Sequence, residues 1–317
     1  MTARGGPVHP VCYIRTLRRQ AFHIVSRPGL AWLESRRLSR LSWVLHAFSM
    51  RRSGPGGESS RGFNLGFTPF DQRAVVSENR RVFFAQLGAQ RFALASLRQI
   101  HSSHIYQVVW GRNDNLQYRP GGIPHHEQPA APPPTGDALL TDQPRILLSV
   151  TTADCLPVLL VDTRRRAVAA IHSGWRGALA RVIENTAGEM RRIFHSRPET
   201  LLAVLGPSIR ACCYEVGEEV VAAFQGHFAR TGKFFLRTRR ASKEPKERAG
   251  HAPTAIHLDL VAVVRDQLLS AGLLPRRIAV ADFCTACRAD LFFSYRKEGG
   301  RTGRTLAVIG IRPSRPR

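Results

Sequence analysis

Three short apolar runs packed close together, residues 146–150, 158–161 and 167–171, constrain this chain more than any other feature. They are rich in Leu, Ile and Val and do not alternate with polar residues, which is the pattern of strands buried on both faces. A sheet built from them must be covered on both sides, so a layered α/β architecture is required. Pro157 is expected to break the ladder between the first two runs, which leaves Cys155 at the break. The third run ends at His172, and Ser173-Gly174-Trp175-Arg176-Gly177 then opens a helix, so the histidine faces a crevice at a strand end. A thiolate and an imidazole at neighbouring strand ends suit a metal site or a Cys/His nucleophile pair. They suit equally a buried thiol and a hydrogen-bonded structural histidine.

The remaining segments interleave strands with helices. Residues 43–49, 92–97, 106–110, 201–205, 277–281 and 306–311 read as strands, with 292–296 pairing against the last of them around Gly299, Gly300 and Gly303. Helices are expected over 71–87, with Asp71 as N-cap and Gly88 as terminator, and over 178–194, 218–228 and 256–272. The Gly/Ser/Arg run 51–62, the Pro/Gly-rich insertion 111–135 with His125 and His126, and the basic run 237–250 read as loops. Residues 1–34, rich in Arg and free of acid until Glu34, read as a disordered extension ahead of one catalytic domain over 35–317.

A chain of 317 residues that is 43% apolar has material for a large core, and no run reaches the length of a membrane span. The net charge of +24 admits an anionic partner. Only four of the 47 basic residues are Lys, however, and the arginines are spread from end to end, which fits a coding bias better than a binding face. Nucleic-acid binding is therefore not expected. Six cysteines in a chain this long point to a reducing, cytoplasmic setting, and no secretory h-region is present. Cys284-Thr-Ala-Cys287 is a lone CxxC; adjacent Cys212 and Cys213 would point to opposite faces of a strand and are not expected to complete it.

HAFSMR at 46–51, FNLG at 63–66, SENRR at 77–81, QIH at 99–101, GDALLT at 136–141, TADCLPVLLVD at 152–162, AAIHSGWRG at 169–177, GPSIRACCYEVG at 206–217 and CTACRADLFFSYRKEGGRTGR at 284–304 together resemble the laccase-domain family. This family was once called multicopper polyphenol oxidase and is also called peptidoglycan editing factor, and its better-supported members are purine nucleoside phosphorylases. The resemblance implies a four-layer α/β/β/α sandwich with mixed sheets and one zinc held by two histidines and a cysteine. By motif the ligands, which are also the catalytic set, are His101, Cys155 and His172. His104 is expected to point elsewhere. Three protein ligands leave a fourth position open, the pattern of a catalytic zinc.

The resemblance implies adenosine, inosine, guanosine or methylthioadenosine as nucleoside and inorganic phosphate as co-substrate. Arg176, Arg296 and Arg304 lie in family motifs, and guanidinium forks suit phosphate. Asn64 and Asp137 are candidates for substrate hydroxyls, or for contacts behind the ligands, or for loop capping. Family members also deaminate adenosine, for which an open zinc would activate water; the HxE and PCxxC signature of other zinc deaminases is absent. Two further readings remain: a metal-free amidase using Cys155, and a copper oxidase, for which the motifs hold too few histidines.

Overall fold

The structure, a computed structural model, describes residues 21–51, 62–122, 133–239 and 254–314. A six-stranded sheet is ordered β1 (Phe22–Arg27), β2 (Leu30–Ser35), β3 (Val44–Ser49), β16 (Thr305–Ile311), β8 (Ile146–Thr152) and β4 (Ala93–Ala95). A seven-stranded sheet is ordered β15 (Ile278–Val280), β11 (Leu201–Leu205), β9 (Leu156–Asp162), β10 (Ala167–Ser173), β7 (Ala138–Thr141), β5 (Ile105–Trp110) and β6 (Leu116–Pro120). Both sheets are mixed: β4 runs parallel to β8, and β11 to β15, amid antiparallel pairs. A small sheet joins β12 (Glu215–Val216), β14 (Thr254–Leu258) and β13 (Phe235–Arg239).

Every residue of β9 and β10 is buried, and the pleat explains why. Leu159 and Val161 point inward against Leu148, Val150 and Ile309 of the other sheet. Val158 and Leu160 point outward beneath α3 (Val182–Phe194) and α5 (Leu260–Ser270), meeting Ile183, Met190 and Val264. On the far side, α1 (Arg73–Leu87) covers the six-stranded sheet by packing Phe83 and Leu87 on Trp32, Leu45, Leu147 and Val308. The result is a single domain of four layers, α/β/β/α.

The local readings need several corrections. Residues 22–35 are not part of a disordered extension: β1 and β2 form an edge hairpin with Phe22, Leu30, Trp32 and Leu33 buried. Its turn is Pro28-Gly29, with Gly29 at φ +79° as a Pro-Gly turn requires. The domain thus begins before residue 35, and residues 1–20 lie outside the described part, as do His125 and His126. The insertion 111–135 contains β6, and residues 254–258 form β14 rather than the start of a helix. The expected helix 178–194 is split into α2 (Trp175–Leu179) and α3 by Arg181 at φ +58°. Residues 292–296 form no strand, and Phe292, Phe293 and Ser294 are consecutively buried under an irregular segment. Asp71 does not cap α1, whose N-cap is Gln72; its carboxylate instead accepts from Asn64 and Thr68.

Candidate metal centre and its cavity

The strands deliver three donor side chains to one point. His172 is the penultimate residue of β10, opposite Pro157 at the start of β9. Pro157 is therefore tolerated inside a central sheet because it sits where the strand begins. Cys155 lies in the crossing from β8 to β9, where the chain passes between sheets through Asp154 at φ +91°. His101 follows β4 in a short irregular stretch and also has positive φ, +60°. Its Nε2 is 3.7 Å from the Cys155 sulfur, the two imidazole centroids are 4.9 Å apart, and one donor atom from each of the three lies within 4.8 Å of the others. That separation, and the soft thiolate with two imidazoles, fit a single thiophilic divalent ion. His104 is exposed and is not part of this group.

Asp137 holds the arrangement together. Fully buried, it accepts from His172 Nδ1 at 2.8 Å and from the backbone N–H of His101 at 3.0 Å, Ser102 at 2.6 Å and Ile100 at 3.3 Å, and from the Ser102 hydroxyl at 2.7 Å. Burial pushes its carboxyl upward, but His172 and Ser102 more than reverse this and hold it at about 2. By taking Nδ1–H, the carboxylate turns His172 Nε2 toward the centre. Asp137 thus lies behind the His101–Cys155–His172 group and is not among the residues that line the cavity. Burial likewise raises the Cys155 thiol, yet His172 and His101 bring it down to about 6. Burial lowers His172, while Cys155 and Asp137 lift it to about 9. The thiolate and the imidazolium stabilise each other; a bound cation would take over that partnership with the thiolate and leave His172 neutral to ligate.

The centre opens into a cavity of about 580 Å³, within the range of small-molecule sites. Arg176, Arg296 and Arg304 line it. Arg296 donates through Nη1 to the Glu215 carbonyl at 2.7 Å, and Arg304 to the Thr302 and Gly303 carbonyls, both at 2.9 Å. Among the described residues no carboxylate forms an ion pair with these three guanidiniums; each lies over an aromatic ring, Arg176 over Trp175, Arg296 over Tyr214 and Arg304 over Tyr295. Asn64 does not reach the cavity, contrary to expectation. Its amide is used within the fold, donating to Gly66 O and Asp71 and accepting from the backbone N–H of Gly66 and, at 2.7 Å, of Arg304.

Four site residues went unread in the sequence. Tyr214 and Tyr295 add aromatic faces to the cavity, and burial, then Cys155, raises the Tyr214 phenol well above its ordinary value. Asp154 accepts from Thr285 Oγ1 at 2.5 Å and Arg296 N at 2.7 Å, tying the Cys155 crossing to the segment that carries Arg296. Gly174 packs so tightly on the centre that a Cβ there would stand 2.7 Å from His101 Cδ2 and 3.0 Å from the Cys155 sulfur. The glycine two residues after His172 was the available signal, since glycine permits close backbone approach.

A Purine nucleoside phosphorylase from Deinococcus radiodurans is 35% identical over 287 residues, covering 90% of this chain and 95% of that protein. Adenosine deaminase RL5, from an unknown prokaryotic organism, is 32% identical over 266 residues, 84% of this chain and 93% of that protein. The crystal structure of Bacillus licheniformis hypothetical protein YfiH superposes with a TM-score of 0.74 at 27% identity, covering 92% of this chain and 99% of that one. The model of the family described as multi-copper polyphenol oxidoreductase laccase matches residues 45–312, and the chain belongs to that family.

Proposed function

We propose that this protein is a zinc-dependent purine nucleoside phosphorylase with a secondary adenosine deaminase activity. The carrying observation is the placement of His101, Cys155 and His172 at the floor of a cavity whose wall bears Arg176, Arg296 and Arg304. Phosphorolysis joins a phosphate oxygen to the sugar C1′ as the bond from C1′ to the purine N9 breaks, and its electron pair departs with the base. The three guanidiniums hold the phosphate dianion and orient the attacking oxygen. Tyr295, more than half exposed on the cavity wall, offers a ring for the purine to stack on. Tyr214, kept protonated by burial, donates a hydrogen bond to the departing base, whose negative charge it stabilises. His101, Cys155 and His172 would hold the zinc, and when bound it supplies Lewis acidity at an open fourth position and activates water for deamination.

Two observations favour this over the other readings. A multicopper oxidase needs several histidine-rich centres, and among the described residues the second group of metal-capable side chains contains only cysteines. A metal-free amidase would use Cys155 with one imidazole as base and a carboxylate behind it, which Asp137 and His172 could provide, but it has no role for the second imidazole, His101, at 3.7 Å from the sulfur, whereas a metal site uses all three donors. The free thiols suit the cytoplasm. Among the described residues no helix is long and apolar enough to cross a membrane.

The test is incubation of the zinc-loaded protein with inosine and with adenosine, with and without inorganic phosphate. The expected products are sugar 1-phosphate and free base, formed only with phosphate, and inosine from adenosine in its absence. Base release independent of phosphate, or no turnover of any purine nucleoside, overturns the assignment.

A further inference from the structure

Four of the described cysteines meet at a second place, outside the nucleoside cavity. Cys212 and Cys213 lie in the turn after β11, in segment 206–217, and Cys284 and Cys287 lie in segment 281–304, after β15. Sequence reasoning separated the first pair because strand neighbours diverge, but residues 211–213 form a turn, and there consecutive side chains converge. One sulfur from each of the four lies within 4.8 Å of the others; Cys287 is 3.6 Å from Cys212 and 3.3 Å from Cys213. A disulfide needs about 2.05 Å. Four thiolates around one zinc, each about 2.3 Å from it, stand roughly 3.8 Å apart at the corners of a tetrahedron, close to the spacing seen here.

We propose that Cys212, Cys213, Cys284 and Cys287 form a closed tetrathiolate site for a second, structural zinc ion. The donor set is all sulfur, which selects a thiophilic ion, and four protein ligands leave no position for substrate. Ile209 and Ala286 pack against the group. Zinc binding displaces the thiol protons to solvent and leaves every sulfur ligated.

The fold has a use for such a tie. Segment 281–304 carries no helix or strand, a length of irregular chain that compact domains seldom hold without a staple. It bears Tyr295, Arg296 and Arg304, and segment 206–217 bears Tyr214, so both walls of the cavity hang from the joint. They are also linked by the backbone bond from Thr285 N to Ser208 O at 3.1 Å, by Arg210 donating to the Ala281 and Phe283 carbonyls, and by Arg296, which donates to the Glu215 carbonyl at 2.7 Å and lies over the Tyr214 ring.

The experiment compares zinc content in full-length protein purified under reducing conditions without a histidine tag. Wild type should hold about two equivalents, and Cys284→Ser/Cys287→Ser and His101→Ala/Cys155→Ser about one each. Cobalt substituted into His101→Ala/Cys155→Ser should give the thiolate-to-cobalt charge-transfer bands of a tetrahedral sulfur site. Its four clustered thiols should resist alkylation until a chelator is added. The second variant leaves the cysteine cluster intact, so it decides the matter if the first fails to fold. Metal-free His101→Ala/Cys155→Ser with freely reactive thiols overturns the proposal, as does finding the four cysteines paired as disulfides. Neither result touches the nucleoside reading, which rests on the other centre.

Discussion

Replacing Asp137 with Asn keeps volume and removes charge, and the five hydrogen bonds at that carboxylate set the cost. Oδ1 accepts from His172 Nδ1 and His101 N, and Oδ2 from Ser102 N, Ser102 Oγ and Ile100 N. An amide has one accepting oxygen, so its NH2 must face donors on one side. Placed at Oδ2, it strands the Ser102 and Ile100 amides while the Ser102 hydroxyl turns to accept. Placed at Oδ1, it strands His101 N and forces the His172 proton onto Nε2, the nitrogen that faces the metal. A stranded buried donor costs about 1–3 kcal/mol, and these amides are only partly buried, so metal-free protein should lose roughly 1–3 kcal/mol of stability. Zinc affinity should fall by about 10- to 100-fold, the usual penalty for losing the partner of a ligating histidine. Urea unfolding in chelator measures the first and competition with a chromophoric chelator the second. Ser102→Ala serves as control, since it removes one donor to Asp137 and the acceptor of the His104 N–H without touching His172, and should cost about 1 kcal/mol with little change in zinc affinity. An Asp137→Asn protein that is destabilised but binds zinc as wild type does would reduce Asp137 to a loop clamp and refute the orienting role.

Gly174→Ala adds a methyl 2.7 Å from His101 at an ordinary φ of −81°, so its effect is purely steric. We expect loss of bound metal from this centre and of phosphorolysis with a stability change of about 1–3 kcal/mol, read by metal analysis beside urea unfolding. Arg296→Ala removes one phosphate-facing fork and should raise the phosphate KM by about 10- to 150-fold, the equivalent of losing one or two charged hydrogen bonds; an unchanged KM would remove it from the phosphate site. Chelation of the wild type should abolish both activities, and added zinc should restore them. Buried His46 accepts from Ser35 N at 2.9 Å, and burial lowers its pKa from 6.5 to about 4. The unfolded chain therefore gains a proton below pH 6.5 that the folded chain refuses until about pH 4. Its contribution is complete above that window and is lost as pH falls through it, at about 1.4 kcal/mol per pH unit. In His46→Gln the acid limb of a stability–pH curve should be shallower by one proton, and an unchanged limb would show that His46 titrates normally.

The layered core was legible because β9 and β10 bury both faces and so present unbroken apolar runs. Cys155 and His172 were legible from the same runs, as the residues at which they stop. Errors fell where a short signal sat beside a stronger one. Ile256, Leu258 and Leu260 alternate with period two, yet they adjoin the helical pattern of α5, whose true start is marked by Asp259 accepting from Ala262 N at 2.9 Å. Pro28-Gly29 is an adequate turn signal, but the Arg-rich stretch around it suggested disorder. Residues 292–296 read as a strand from their aromatics, although Phe292 and Phe293 are neighbours that are both buried, which a strand with one covered face does not allow.

The functional side chains share a cause for their partial legibility. His101, Arg296 and Arg304 all stand on irregular chain, where no periodicity announces direction. Each is held by a buried polar side chain distant in sequence that takes backbone N–H groups: Asp137 for His101, Asp154 for Arg296, Asn64 for Arg304. A carboxylate or amide near a motif reads identically whether it will touch substrate or clamp the loop that does, and this is why Asn64 and Asp137 were candidates for direct contact. The distinction lies in hydrogen-bond satisfaction. Asp137 and Asn64 spend their acceptors inside the fold and stay off the cavity wall, whereas the three arginines line it. Buried unpaired N–H groups are costly, so an irregular segment can be placed rigidly only where such an acceptor exists. The positions that decide the geometry of this site are therefore the satisfied polar residues one layer behind it.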